Sequence, residues 1–363
     1  MTRSVLRATP NATRQPNGAD KSLFTEDLGK SRLSRMTILG FALALKAVVS
    51  DATVFELPAD GSNVVGSDMR ITAGYTDTLL DIARQYSLGY EEIIRANPNV
   101  DMWLPGEGTQ ILLPGRRILP PGQREGVVIN IPEHRLYFYP RTKKGEKPIV
   151  ITYPISAGKI DKETPLGRTR IIAKVKNPSW YPPASIRKEH EERGDPLPRV
   201  VPPGSDNPLG MFAMRLEMGD GTYLIHGTNN PVAVGMAVTH GCVRMYPEDI
   251  AALFPLVPVG TRVALINEPI KLAHANAEFW LESHPAISLD SNSEARSLEI
   301  LSQLLVRLAG DKVTAIHWDF AREALRASTG VTSMIGLELQ SDAGAESPTP
   351  PNARSSGSNM QPL

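Results

Sequence analysis

The residues best suited to covalent chemistry lie in one stretch of the chain. Cys242 is the only cysteine among 363 residues; it follows Thr239-His240-Gly241 and precedes Val243-Arg244-Met245. Sixteen residues upstream stands His226, within Tyr223-Leu224-Ile225-His226-Gly227-Thr228. Both ends read as strand-to-loop transitions, where a side chain faces a cleft while the sheet holds it rigid. A hairpin-like return would bring thiol and imidazole together, the minimum for an activated cysteine nucleophile.

A free thiol titrates near ~8.5, so little thiolate exists at neutral pH without help. An imidazole in reach can take the proton. Gly241 lets the backbone turn sharply before the nucleophile. Backbone N–H groups around Gly241 and Cys242 could face a developing oxyanion, and one such donor is worth about 3–4 kcal/mol. The Gly227 carbonyl could orient the imidazole, and Arg244 offers a fork suited to a carboxylate of substrate or protein. Two other readings stay open here. His226, His240 and Cys242 would suit zinc, though no fourth ligand stands at a telling spacing, and Cys242 could be an inert buried thiol. His134, His190, His274, His284 and His317 lack comparable context. His190-Glu191-Glu192 is no zinc pattern, because residue 194 is Gly.

Many short strands are needed to position this segment. Residues 126–131, 135–139, 149–153, 168–172, 211–216, 222–226 and 262–266 are β-branched or aromatic runs broken by turns, which suggests a sandwich or partial barrel. Residues 177–210 are Pro-rich, patternless and too long for a simple connection, so a lid or substrate wall is expected there. Upstream, Asp77 or Thr78 can cap a helix carrying Leu79, Ile82, Ala83 and Tyr86; a second carries Tyr90, Ile93 and Ile94 and stops at Asn97-Pro98. After residue 267, Leu298, Leu301, Leu304, Leu305 and Leu308 form a helical stripe ended by Gly310, and Val313, Ile316 and Phe320 a shorter one.

Lys+Arg and Asp+Glu number 39 each, which gives no electrostatic case for nucleic acid or an anionic membrane surface. A lone cysteine forms no internal disulfide. Lys30, Arg32 and Arg35 precede an apolar run from residue 36 to 45, with Ser50 and Ala52 at a cleavage-like spacing. Export by a signal peptide is expected, with Met36 an alternative start. The run falls short of the ~20 residues that span a bilayer, so no integral membrane protein is expected.

The His226-Gly227 pair, a spacer and Thr239-His240-Gly241-Cys242-Val243-Arg244 closely resemble the signature of L,D-transpeptidase catalytic domains of the YkuD type. Thr164-Pro165-Leu166-Gly167 is similar to that family's Thr-Pro-x-Gly turn, and Arg135-Leu136-Tyr137 to its early strand. Thr76-Asp77-Thr78-Leu79, Ile82-Ala83, Asn97 and Leu104-Pro105-Gly106 resemble a LysM module. The resemblance implies a mainly β catalytic domain, a YkuD-type β-sandwich, with a small α+β LysM domain and a helical C-terminal extension. The expected order is a tail with signal peptide (residues 1–52), LysM (67–115), catalytic domain (124–267), helical extension (268–335) and disordered tail (336–363).

It further implies that Cys242 attacks the diaminopimelate carbonyl of a tetrapeptide stem and expels D-alanine, with His226 as general base. Gly227 would hold the ring, His240, Gly241 and Thr239 would shape the oxyanion region, and Arg244 would place substrate. Asp77, Thr78 and Asn97 would meet glycan. Partners would be peptidoglycan stems and glycan strands in the periplasm, with an outer-membrane lipoprotein as a candidate acceptor; no cofactor or metal is called for. The rivals are a non-catalytic wall-binding protein and a carboxypeptidase that uses water.

Overall fold

The computed structural model describes residues 53–339 except 160–161, 288–292, 311 and 313. The expected signal segment lies outside the described residues, as does the expected tail from residue 340 on.

After β1 (Thr53–Glu56) and the short β2 (Val64–Val65) the chain forms a βααβ module of β3 (Met69–Thr72), α1 (Leu79–Gln85), α2 (Tyr90–Ala96) and β4 (Gln110–Leu113). Thr78 caps α1, its hydroxyl accepting from the Asp81 N–H at 3.0 Å. Glu92, in the first turn of α2, reaches back to the Gly89 N–H at 3.0 Å. Leu79, Ile82, Ala83, Ile93, Ile111 and Leu113 pack into one buried cluster between the helices and the hairpin, the larger ones stabilising the module by ~1.5–3 kcal/mol each. β5 (Arg117–Ile118) pairs with β2 and leads onward.

The main domain comprises β6 (Gly126–Asn130), β7 (Arg135–Tyr139), β8 (Ile149–Gly158), β9 (Gly167–Lys176), α3 (Ala184–Glu192), β10 (Phe212–Leu216), β11 (Leu224–His226), β12 (Ala237–Thr239), β13 (Val243–Met245), α4 (Pro247–Leu256) and β14 (Arg262–Ile266). Pairing runs β8–β13–β11–β10–β9–β14–β6–β7 and returns to β8, which meets β7 through residues 151–154 and β13 through 155–156. The strands thus close on themselves, between the sandwich and the barrel expected of them. Ile129, Leu136, Ile155, Met214, Ile225 and Val243 fill the interior. Ile225 and Val243 matter most here: they turn inward from the two strands flanking the chemistry, so their neighbours along each strand face the other way.

The C-terminal region departs from the helical extension expected of it. Helices α5 (Ser293–Ala309) and α6 (Trp318–Ala327) are present, but they lie on a four-stranded sheet, ordered β15 (Ile270–Ala275), β16 (Glu278–Ser283), β18 (Ser333–Glu338), β17 (Thr314–Ile316). The last strand also takes in residues 336–338, assigned above to a disordered tail. The reason lies in β15 and β16. Ile270, Leu272, Phe279 and Leu281 join the helices' core, while Lys271 and Glu282, almost wholly buried, pair at 2.8 Å. A strand that buries a charge on one face reads in sequence as half solvated.

Candidate active site

β11 and β13 are parallel neighbours, with Ile225 opposite Val243 and His226 opposite Arg244. Because side chains alternate along a strand, His226 shares a face with Arg244 and with Cys242, which directly precedes β13. The residues singled out from 16 positions apart are therefore brought together by a parallel pair, not by the hairpin-like return expected.

His226 is buried, and its Nδ1–H donates to the Gly227 carbonyl at 2.7 Å. A carbonyl only accepts, so the proton lies on Nδ1 and Nε2 keeps its lone pair. Burial, reinforced by the Arg244 charge, lowers the imidazole to about 4. Burial pushes the Cys242 thiol up, opposed by the Leu224 backbone N–H and by Arg244. The resting site thus holds a neutral thiol, its Sγ–H directed to the Thr222 carbonyl at 3.8 Å, and a neutral imidazole on the same face of the sheet. Arg244 is itself half-buried, burial lowers its pKa, and its buried Nε–H has no hydrogen-bond partner among the described residues. Glu248, the carboxylate four residues on, pairs with Arg84 instead.

The turn carrying the thiol is closed by Thr239. Its hydroxyl donates to the Cys242 carbonyl at 2.6 Å and accepts from the Gly241 N–H at 3.3 Å. Gly241 has φ +99°, and a Cβ there would lie 2.7 Å from the Tyr223 ring, so a side chain is excluded both by conformation and by space. Gly227 is similarly close-packed, a Cβ meeting Ile250 at 3.2 Å and the Leu209 carbonyl at 3.3 Å.

The Pro-rich excursion contributes a residue that sequence reasoning missed. Its helix α3 buries no side chain, yet Glu189 bonds His240 Nε2 at 2.9 Å with one carboxylate oxygen and lies 3.4 Å from Lys162 Nζ with the other. His240 thus faces α3. Glu189 stands in a charged run where nothing in the spacing separates it from Glu191 or Glu192. The excursion's two ends are gathered by buried Asn207, whose amide donates to the Pro178 and Pro202 carbonyls at 2.8 and 3.1 Å.

The three residues assigned to glycan serve the βααβ module's own backbone. Asp77 accepts from the Gly74 N–H at 2.8 Å, Thr78 caps α1, and buried Asn97 bridges α2 and β4 through the Ile93 and Leu112 carbonyls, both at 2.9 Å. Exposed instead are Tyr75, Trp103 and Leu104, on two loops joined by the Leu79 N–H to Met102 carbonyl bond of 3.0 Å. Glu133, Glu282 and His284 cluster as metal ligands would, but the Lys271 ammonium sits among them, 2.9 Å from Glu133 and 2.8 Å from Glu282.

Comparison with known proteins follows the same lines. The family model described as the YkuD L,D-transpeptidase catalytic domain matches residues 124–265. The chain is 40% identical over 261 residues to the probable L,D-transpeptidase YbiS of Escherichia coli K12, covering 71% of this chain and 83% of that one. It is 39% identical over 277 residues to the same organism's probable L,D-transpeptidase YcfS, covering 75% and 85%. To its probable L,D-transpeptidase ErfK/SrfK it is 38% identical over 261 residues, covering 70% and 82%.

Proposed function

The chain belongs to the YkuD family and is an L,D-transpeptidase, an enzyme of peptidoglycan, and from that premise we propose that Cys242 is its nucleophile and His226 its general base. The observation that carries this is the His226 ring, neutral and held by Gly227 on the face it shares with Cys242.

As substrate binds, the diaminopimelate carbonyl of a tetrapeptide stem meets Sγ while Nε2 of His226 takes the thiol proton. The tetrahedral oxyanion is received by the Cys242 N–H, since the Gly241 N–H is already engaged by Thr239. Collapse breaks the amide bond, His226 returns the proton to the leaving amine of D-alanine, and a thioester remains. An acceptor amine then gives up a proton to His226, attacks the thioester and restores the thiol. Arg244, a half-buried guanidinium with an unpartnered Nε–H, is suited to a carboxylate of the stem. The acceptor is a second diaminopimelate, giving a 3-3 cross-link, or a lipoprotein lysine; water in its place would make a carboxypeptidase.

The βααβ module reads as a LysM that holds glycan along Tyr75, Trp103 and Leu104, and the reaction is placed in the periplasm after export. Among the described residues no helix is long and apolar enough to cross a membrane.

Mass spectrometry of the protein with a tetrapeptide muropeptide tests the core of this reading. The parent is expected to gain the tripeptide acyl group and Cys242→Ala to gain none; undiminished acylation of that variant would overturn it. Muropeptides from a host lacking the gene, scored separately for 3-3 dimers and lipoprotein-linked stems, separate the acceptors.

A further inference from the structure

We propose that the βααβ module is a positioning element of the active site, because it grips both flanks of the segment that carries Cys242. This rests on Cys242 being the nucleophile.

The upstream flank is the loop entering β12. There the Tyr90 N–H, at the start of α2, donates to the Val234 carbonyl at 2.8 Å, and the Glu91 N–H to the Gly235 carbonyl at 3.4 Å. Gly235 has φ +94°, and a Cβ on it would lie 2.3 Å from the Tyr90 nitrogen and 2.5 Å from the Gly89 Cα. The contact is backbone on backbone, which only glycine permits. The next residue, Met236, accepts from the Ala157 N–H of β8 at 3.2 Å. This flank is therefore held between the module and the barrel wall.

The downstream flank begins directly after β13. The Tyr246 hydroxyl donates to the Leu88 carbonyl at 3.2 Å. Glu248 receives a two-pronged pair from Arg84 of α1, at 2.6 and 2.8 Å. Between the two grips lies a third fastening. Glu92 of α2 sits between Arg117 and Arg135, 2.6 Å from each, and Arg135 also donates to the Ser87 carbonyl at 3.1 Å. Burial opposes ionisation of Glu92, but the two guanidiniums overcome it and hold the carboxyl below its usual range.

A module tethered only to raise the local concentration of glycan needs none of these contacts. The contacts of Val234, Gly235, Tyr246 and Glu248 fall just before β12 and just after β13, which is where a shift would move Sγ relative to His226, while Glu92 fastens the module to β5 and β7. A displacement of ~1 Å at a reacting atom costs on the order of 100-fold in rate. Arg84 and Gly235 are thus positioning residues.

The test uses the full chain with Gly235→Ala, Glu248→Gln and the exchanged pair Arg84→Glu/Glu248→Arg, and Lys312→Ala as a control on an exposed pair of the C-terminal sheet. Two rates are followed: acylation of Cys242 by a carbapenem, and alkylation by iodoacetamide across pH, alongside the thermal midpoint. Gly235→Ala and Glu248→Gln are expected to acylate roughly tenfold or more slowly and to shift the alkylation profile. The exchanged pair is expected to recover most of the loss relative to Glu248→Gln, and the control to match the parent. Parent-like acylation and alkylation in both Gly235→Ala and Glu248→Gln, with only the thermal midpoint lowered, would overturn the proposal. A parent that alkylates at Cys242 but never acylates would sink the transpeptidase reading instead, and the alkylation profiles would still decide this one.

Discussion

At His226 burial disfavours the imidazolium and Arg244 disfavours it further, so the ring stays a base down to about pH 4. The acidic limb of the acylation rate against pH is therefore expected near 4, well below the ~6.5 of an unperturbed histidine. A limb at 6 to 7 in pre-steady-state acylation would mean that His226 is not the base. Cys242 adds the complementary expectation: with its thiol pushed up by burial, iodoacetamide alkylation of the free enzyme should have its midpoint above that of an unhindered thiol. Thr239 admits a further test. Its hydroxyl makes both bonds that close the 239–242 turn, so Thr239→Val is expected to slow acylation by ten- to a hundredfold, the effect of roughly 1–3 kcal/mol per unsatisfied partner. Thr239→Ser should keep the parent rate, and equal rates for Val and Ser would show the hydroxyl to be idle. These residues were legible in sequence because their types are rare and their motif is local. What the motif does not carry is charge state, which depends on burial supplied by the whole barrel.

One scale up, the Pro-rich excursion shows where pattern reading stops. A Pro-rich stretch of more than 30 residues stood out as too long for a simple connection, but its purchase on the site did not. Glu189 is chosen by the path of the backbone, which sets it over His240 and Lys162, and no periodicity encodes that path. Glu189→Ala is expected to speed hydrogen exchange of the α3 amides several-fold and to raise KM for the tetrapeptide more than it lowers kcat, because a looser wall weakens substrate capture first. A loss confined to kcat would instead place Glu189 in the chemistry. The parallel β11–β13 pair was likewise missed, since a strand of three residues carries too little alternation to identify its partner.

Over the whole molecule, sequence reading set three folded pieces between two tails, and a buried charge network joins the three. Glu92 belongs to the βααβ module, Arg135 and Glu133 to the barrel, Lys271, Glu282 and His284 to the C-terminal sheet, and Arg117 to the strand between the first two. Three carboxylates face three permanent cations. Glu282, which burial alone would push up, is held at about 2 by Lys271 and His284, and it also accepts from the Ile118 N–H at 2.6 Å. In sequence each of these residues looks like a solvated charge, because nothing local announces its partner: Glu92 lies 43 positions from Arg135 and Glu133 lies 138 from Lys271. Burying such groups is costly, and removing one partner leaves the others uncompensated at about 3–5 kcal/mol. Lys271→Met keeps the stem's volume but strands Glu133 and Glu282. It is expected to destabilise the fold by that amount, while Lys271→Met combined with Glu282→Leu recovers a large part. Because the network crosses all three pieces, the parent should unfold in one calorimetric transition, and Lys271→Met should lower that single transition rather than detach the C-terminal sheet as a separate early one. Acid has a related effect. His134, like His226, is lowered by burial to about 4, so both bind protons in the unfolded chain before they do in the folded one. Stability is then intact above ~6.5 and falls as pH drops toward 4, by up to about 2 kcal/mol per histidine between pH 6.5 and 5. Denaturant titrations at pH 7 and 5 check it. Equal midpoints would mean that neither ring is held neutral, and the base assigned to the reaction would lose its physical ground.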